Sequence, residues 1–229
     1  MRWLMKFFLV SELHPGHAVL LTATCVVLGL WTITYNPSEL DSALGLLLVL
    51  QMFLASTGFV SRASAGHFDA VLVEGRPRRS AALAHWAVSV GPGVAGWIVL
   101  AVTALALGGA HAVSAICGRR FVALAIVSNV AWTAGFRLAR NSAGVLWLAL
   151  LVAVLVQQNL RALSMMISPA FRAWAWDILV LLVCPFVLIG DQPAVPPPVL
   201  AGAAALSCLA VWLVASATTR LNVLLVDRG

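Results

Sequence analysis

The chain has 229 residues, 62% of them hydrophobic and only 10% charged, with a formal net charge of +6. Soluble domains are nearer half apolar and one quarter charged, so too few polar side chains exist to cover a water-exposed surface, and lipid is the expected solvent. A catalytic domain hung outside the bilayer is excluded, because the longest polar stretch, Ser61 to Ala82, is too short to form one.

Every basic residue except Lys6 is arginine. In a soluble protein such an excess would raise nucleic-acid binding, but in an apolar chain it is what retains loops on the cytoplasmic side, and no nucleic-acid partner is expected. Cys25, Cys184 and Cys208 lie in apolar runs and read as small buried hydrophobes, while Cys117 has no evident mate. No CxxC or Cys/His spacing suggests a metal. A cleaved leader is not expected: Lys6 interrupts the first apolar run, and Glu12, His14 and Pro15 stand where small residues would be needed.

In chain order, residues 1–14 mix Trp3, Phe7 and Phe8 with Arg2 and Lys6, the pattern of a helix lying in the headgroup layer. A first span is predicted from Ala18 to Tyr35, ended by Asn36-Pro37. The acidic loop with Glu39 and Asp41 belongs outside, and a second span follows from Ala43 to Val60. The loop Ser61 to Ser80 carries Arg62, Arg76, Arg78 and Arg79 and is placed inside, with the amino terminus. A third span from Ala82 to Leu107 contains Pro92 and is expected to close at Gly108-Gly109. A fourth covers Phe121 to Phe136, with Arg137 and Arg140 behind it, and a fifth covers Gly144 to Leu163. The last apolar run is Val199 to Thr218.

Between the last two spans, Ile178 to Ile189 is short, broken by Pro185 and preceded by Trp174 and Trp176. As a full crossing it gives seven spans and splits the 14 Arg and Lys as eight inside and six outside; as a re-entrant hairpin it gives six spans and a split of ten to four. The positive-inside bias favours six. The expected fold is thus all-α: one transmembrane domain over residues 1–229, with six transmembrane helices, an interfacial helix at 1–14, a cytoplasmic loop at 61–82 and an outer-leaflet hairpin region at 164–198. Both termini are expected inside.

Catalytic spacings are missing. Gly91-Pro92-Gly93-Val94-Ala95-Gly96 spells GxGxxG but follows no strand, so helix packing or a kink explains it better than a nucleotide. There is no Walker A sequence, GxSxG, HExxH or carboxylate pair. His14 and His17 flank a Pro-Gly turn and read as interfacial polar residues rather than metal ligands. All eight carboxylates lie in loops or at span ends, which disfavours ion-coupled transport, where an ionisable group is usually kept at membrane depth. Gln51, Asn129, Gln157, Gln158 and Asn159 are polar residues inside spans; they either bond helix to helix or line a translocation path.

In the second loop, Phe68, Val71 and Leu72 share one helical face, bounded by Gly66 and by Gly75 and Pro77. A helix of about two turns is marginal alone, so it rests on lipid headgroups or docks on a cytoplasmic partner. Gly66-His67-Phe68-Asp69, Leu72 and Gly75-Arg76-Pro77-Arg78-Arg79, set between a second and third span, resemble the loop of type-2 ATP-binding-cassette (ABC) exporter permeases; His67 stands where that loop often has glutamate. The resemblance implies a coupling helix at Phe68 to Val73, seated with Asp69, Arg76, Arg78 and Arg79 against a separate cytoplasmic ATPase subunit. ATP and Mg2+ would be bound there and not by this chain. It further implies a dimer, with a second copy or a related permease, in the inner (cytoplasmic) membrane. The cargo would be lipophilic, amphiphilic or peptidic, a haem-like cofactor included. The other expectations carried forward are a non-transporting assembly or anchor subunit and, less favoured, an intramembrane enzyme.

Overall fold

The computed structural model describes residues 78–117, 119–136 and 195–218, with single positions at 23, 26, 27, 29–31, 34, 47, 48, 51, 177, 178, 181 and 182. All secondary structure among the described residues is helical: α1 (Arg78–Cys117), α2 (Arg119–Gly135) and α3 (Pro197–Ala217). The expected interfacial helix at 1–14, the loop segment 61–77 and the fifth span lie outside the described residues, as does most of the hairpin region.

Two stretches, Arg78–Val102 with mean hydropathy 1.5 and Pro197–Ala217 with 2.1, are long and apolar enough to cross a bilayer. They overlap the expected third and last spans. The expected fourth span appears as α2, which has 17 residues. Side chains facing away from the bundle are as apolar as those facing in: Ile98, Val99, Val102 and Leu105 on α1, and Leu206, Leu209, Trp212 and Leu213 on α3, are exposed. A helix apolar all round suits burial or a lipid surround, not a water-facing surface.

The start of α3 follows from its prolines. Pro197 and Pro198 occupy the first turn behind Pro196 and have no N–H to leave unpaired. The first N–H groups of the helix, on Val199 and Leu200, already bond the Pro196 carbonyl at 3.0 and 3.1 Å. At the other end Thr218 Oγ1 donates to the Ala215 carbonyl at 2.6 Å.

α1 departs from the expected third span at both ends. It begins at Arg78, so both arginines sit in its first turn, and it runs on through Gly108-Gly109 to Cys117. Glycine costs only about 1 kcal/mol per helix position, and an unpaired backbone group in an apolar surround costs more. The helix cannot be straight. Trp86 bonds Asn129 of α2, yet a straight helix would carry Cys117 about 46 Å from Trp86, and Gly118 alone separates Cys117 from α2.

Contacts fix the helix directions. Arg79, at the start of α1, lies against Trp212 near the end of α3, its Cζ 5.0 Å from the ring centroid. One and a half to two turns further along α1, Trp86 meets Asn129, which meets Ser207 on α3. α1 and α3 are therefore antiparallel. Ile126 on α2 packs with Val199, Leu200 and Ala203 near the start of α3, and Asn129 with Ser207 later on, so α2 and α3 run parallel. Ile178 and Leu181 complete that apolar cluster, Ile178 lying across Gly202, where a Cβ would meet its Cδ1.

Cysteines placed at Ser80 and Ala217, in a variant stripped of native cysteines, should be labelled from the same side of a sealed vesicle. Labelling from opposite sides would mean α3 does not run against α1. Ile178→Ala should lower stability by about 2 kcal/mol or more, as expected for truncating a buried aliphatic side chain, measured as a fall in unfolding temperature in detergent.

Candidate functional site

Polar side chains converge where α1, α2 and α3 meet. Asn129 is the node. Its side chain is 2% exposed; Oδ1 accepts from Trp86 Nε1 at 3.0 Å, and Nδ2 donates to Ser207 Oγ at 3.1 Å and to Cys208 Sγ at 3.5 Å. One amide thus joins three helices. Ser207 Oγ donates to the Ala204 carbonyl at 2.8 Å, and Thr133 Oγ1 donates to the carbonyls of Asn129 and Val130, both at 2.9 Å.

One residue earlier on α1, His85 is 0% exposed. Its Nδ1 accepts the Trp132 indole N–H at 3.0 Å. Trp132, also fully buried, packs on Phe136 with ring centroids 5.0 Å apart at a tilt of 59°. A buried indole N–H needs an acceptor, and in this apolar interface an imidazole nitrogen supplies it. Because indole nitrogen only donates, Nδ1 must carry the lone pair, and the neutral ring holds its proton on Nε2.

A third polar contact lies at Pro92. Proline has no N–H, so the Val88 carbonyl loses its helical donor, and the ring distorts the turn before it. The next two carbonyls, Ser89 and Val90, accept from Gln51 Nε2 at 3.2 and 3.5 Å. Neighbouring polar side chains commonly re-satisfy backbone groups at a helix break in membranes. Gln51 is 0% exposed, and its buried Oε1 has no hydrogen-bond partner among the described residues. The oxygen lies in the space a side chain on Gly93 would fill: a Cβ there would overlap the Gln51 amide. This explains the glycine that spells part of the nucleotide-like motif, and it is a packing reason. Ser89 Oγ donates back to the His85 carbonyl at 2.8 Å, so the seam runs from Gln51 along α1 to His85 and Trp86 and across to α2 and α3.

Of the residues singled out from the sequence, Gln51 and Asn129 belong to this seam, and Gln157, Gln158 and Asn159 lie outside the described residues. Arg78 and Arg79 form the first turn of α1, and Arg79 is drawn onto Trp212. Phe68, Asp69, Val71, Leu72 and Arg76 also lie outside the described residues. His85 is what sequence reading missed. An ionisable group at membrane depth need not be a carboxylate, and His85, inside the expected third span, is one. With His85 inside that span, the position of the carboxylates alone no longer disfavours ion coupling. Among the described residues no three His, Cys, Asp or Glu side chains are grouped to hold a metal.

Gly93→Ala should displace Gln51 and destabilise the fold, while the same change in a Gln51→Ala background should cost little. Contacting residues couple by about 0.5–3 kcal/mol, so a double-mutant cycle of unfolding temperatures should be plainly non-additive. Additive effects would mean that Gln51 is not seated on Gly93. Asn129→Leu, which leaves the Trp86 N–H without its acceptor and removes the donor to Ser207 Oγ, should cost about 1–3 kcal/mol and be worse than Asn129→Ser in the same assay.

No protein-family model matches the chain, and neither a curated protein nor a solved structure does. Its function must be read from the helices and the polar residues between them.

Proposed function

We propose that this chain is the membrane-spanning permease subunit of an ATP-driven exporter of the type-2 ABC class. The observation that carries this reading is the direction of the helices: α1 leaves the face at which the arginine-rich loop ends, and α3 returns to it. If both helices cross, the number of crossings from α1 through α3 is even. That parity supports six spans with a re-entrant segment at 164–198 and both termini cytoplasmic; the seven-span alternative would make α1 and α3 parallel. Six spans are half the usual complement of a translocation unit, so the permease works as a dimer, with itself or a relative, in the inner membrane.

In this reading the loop 61–77 feeds directly into a long helix. Force applied at Phe68, Val71 and Leu72 by a nucleotide-driven ATPase passes into α1 at Arg78. Arg79 ties that first turn to Trp212, so α1 and α3 are pulled together, and the Asn129 node carries the displacement to α2. Gln51 and Asn129 hold helices together here; whether Gln157, Gln158 and Asn159 line the cargo path belongs to the same proposal. Bond chemistry is assigned to the partner ATPase, which holds ATP and Mg2+.

Phe68→Asp should abolish copurification of an ATPase and transport with it. A charge in an apolar contact costs about 2 kcal/mol or more, while membrane insertion should be normal. Arg78→Ala should weaken the association less and in a salt-dependent way, since exposed ion pairs contribute about 0–1 kcal/mol. Arg79→Ala should in addition lower the unfolding temperature, because it removes the contact with Trp212; cation–π contacts contribute about 0.5–2 kcal/mol. Subunit stoichiometry after affinity purification decides: an ATPase still bound to Phe68→Asp at full occupancy sinks the coupling role, and a chain that never brings down an ATPase is an anchor or assembly subunit.

A further inference from the structure

We infer that His85 is a proton-binding site whose occupation at Nδ1 unlatches α1 from α2. The inference goes beyond the permease reading and stands on the helix contacts alone. Nδ1 faces the Trp132 indole nitrogen at 3.0 Å, and indole can only donate. In the neutral ring the proton is therefore on Nε2, and Nδ1 is the only basic atom left on the imidazole. A second proton has one place to go. It replaces an N–H···N hydrogen bond by two N–H groups pointed at each other, and the contact cannot survive in its present geometry.

Imidazole is the side chain whose ordinary titration, near about pH 6.5, falls in the physiological interval. Among the described residues, the other charged or titratable side chains on the surrounding elements are Arg78, Arg79, His111 and Cys117 on α1, Arg119 and Arg120 at the start of α2, Cys208 on α3 and Asp177, exposed beside Ile178. On α2 the ring meets Trp132, which packs on Phe136, and neither titrates in this range.

The latch is placed to be felt beyond its own bond. His85 is followed by Trp86, which holds Asn129, and Asn129 lies three residues before Trp132 on the same helix. The two bonds between α1 and α2 are thus adjacent on both helices. Asn129 in turn holds α3 through Ser207 and Cys208. Turning Trp132 out of its seat strains the neighbouring Trp86–Asn129 bond, and the three-helix node moves with it. Ser89, bonded to the His85 carbonyl at 2.8 Å, extends the same chain toward Gln51 and the Pro92 break. Protonation at one buried atom would therefore change how all three helices are held.

The test is fluorine NMR of the full chain labelled with fluorotryptophan in detergent micelles, titrated from about pH 8 to about pH 5, the interval around the usual histidine transition. The chain has nine tryptophans, and the Trp132 line is identified as the one lost in Trp132→Phe. In the wild type it should move through a single one-proton transition. In His85→Asn, whose amide oxygen can accept from the indole but takes up no proton in this range, the line should stay in place. His85→Gln serves as the second such variant if the first fails to fold. A Trp132 line that does not move in the wild type overturns the proposal, and so does a transition that persists without His85. Neither readout needs a cargo or an ATPase, so failure of the permease reading would leave this result unaffected.

Discussion

The structure depends on the Asn129 amide. Three helices whose outward faces are as apolar as their inward ones have little to choose between one rotation and another on hydrophobic grounds. In lipid even the gain from burying leucine against leucine largely disappears, and packing and polar contacts decide which faces meet. Asn129 has one acceptor and two donor hydrogens, and all of its partners come from other helices: Trp86 on α1, Ser207 and Cys208 on α3. Rotating any one helix by a residue would bury these groups unpaired, at a cost of about 1–3 kcal/mol for each.

The same constraint accounts for details that otherwise look unrelated. Pro92 interrupts a helix that cannot turn to water for replacement bonds, so a side chain from another segment, Gln51, reaches the neighbouring carbonyls. Gly93 has no side chain because that amide needs the space. Three successive prolines open α3 with no unpaired N–H. Trp132 gives its N–H to His85, and Thr133, Ser207 and Thr218 return theirs to carbonyls on their own helices. Each is an answer to the same question of where a polar hydrogen goes when water is far away.

Arg79 marks where that regime ends. Its guanidinium lies over Trp212, an exposed ring near the end of α3, in the manner of a cation and an aromatic sharing the boundary between an apolar body and a polar margin. Charge and aromatic ring come from opposite ends of the two sequences, and meet because the helices run in opposite directions. One contact therefore orients α3 and brings its end back to the arginines that open α1.

Among the described residues, the helices were legible in the sequence. The runs at 82–107, 121–136 and 199–218 could be read as helices because hydropathy is a sum along the chain, and summing needs no knowledge of neighbours. α2 and α3 match those limits to within about two residues. The sequence also singled out Gln51 and Asn129, since a polar residue in an apolar run is conspicuous wherever it points. It could not say what they touch. Partners are set by rotation about each helix axis, at roughly 100° per residue, and by axial register, neither of which a hydropathy sum contains. For that reason only the tertiary structure decided that His85 meets Trp132, that Gly93 is the seat of Gln51, and that α1 bends and continues past Gly108-Gly109. The direction of α3 lay beyond the sequence on the same ground: an apolar run reads alike from either end, and the contact between Arg79 and Trp212 does not.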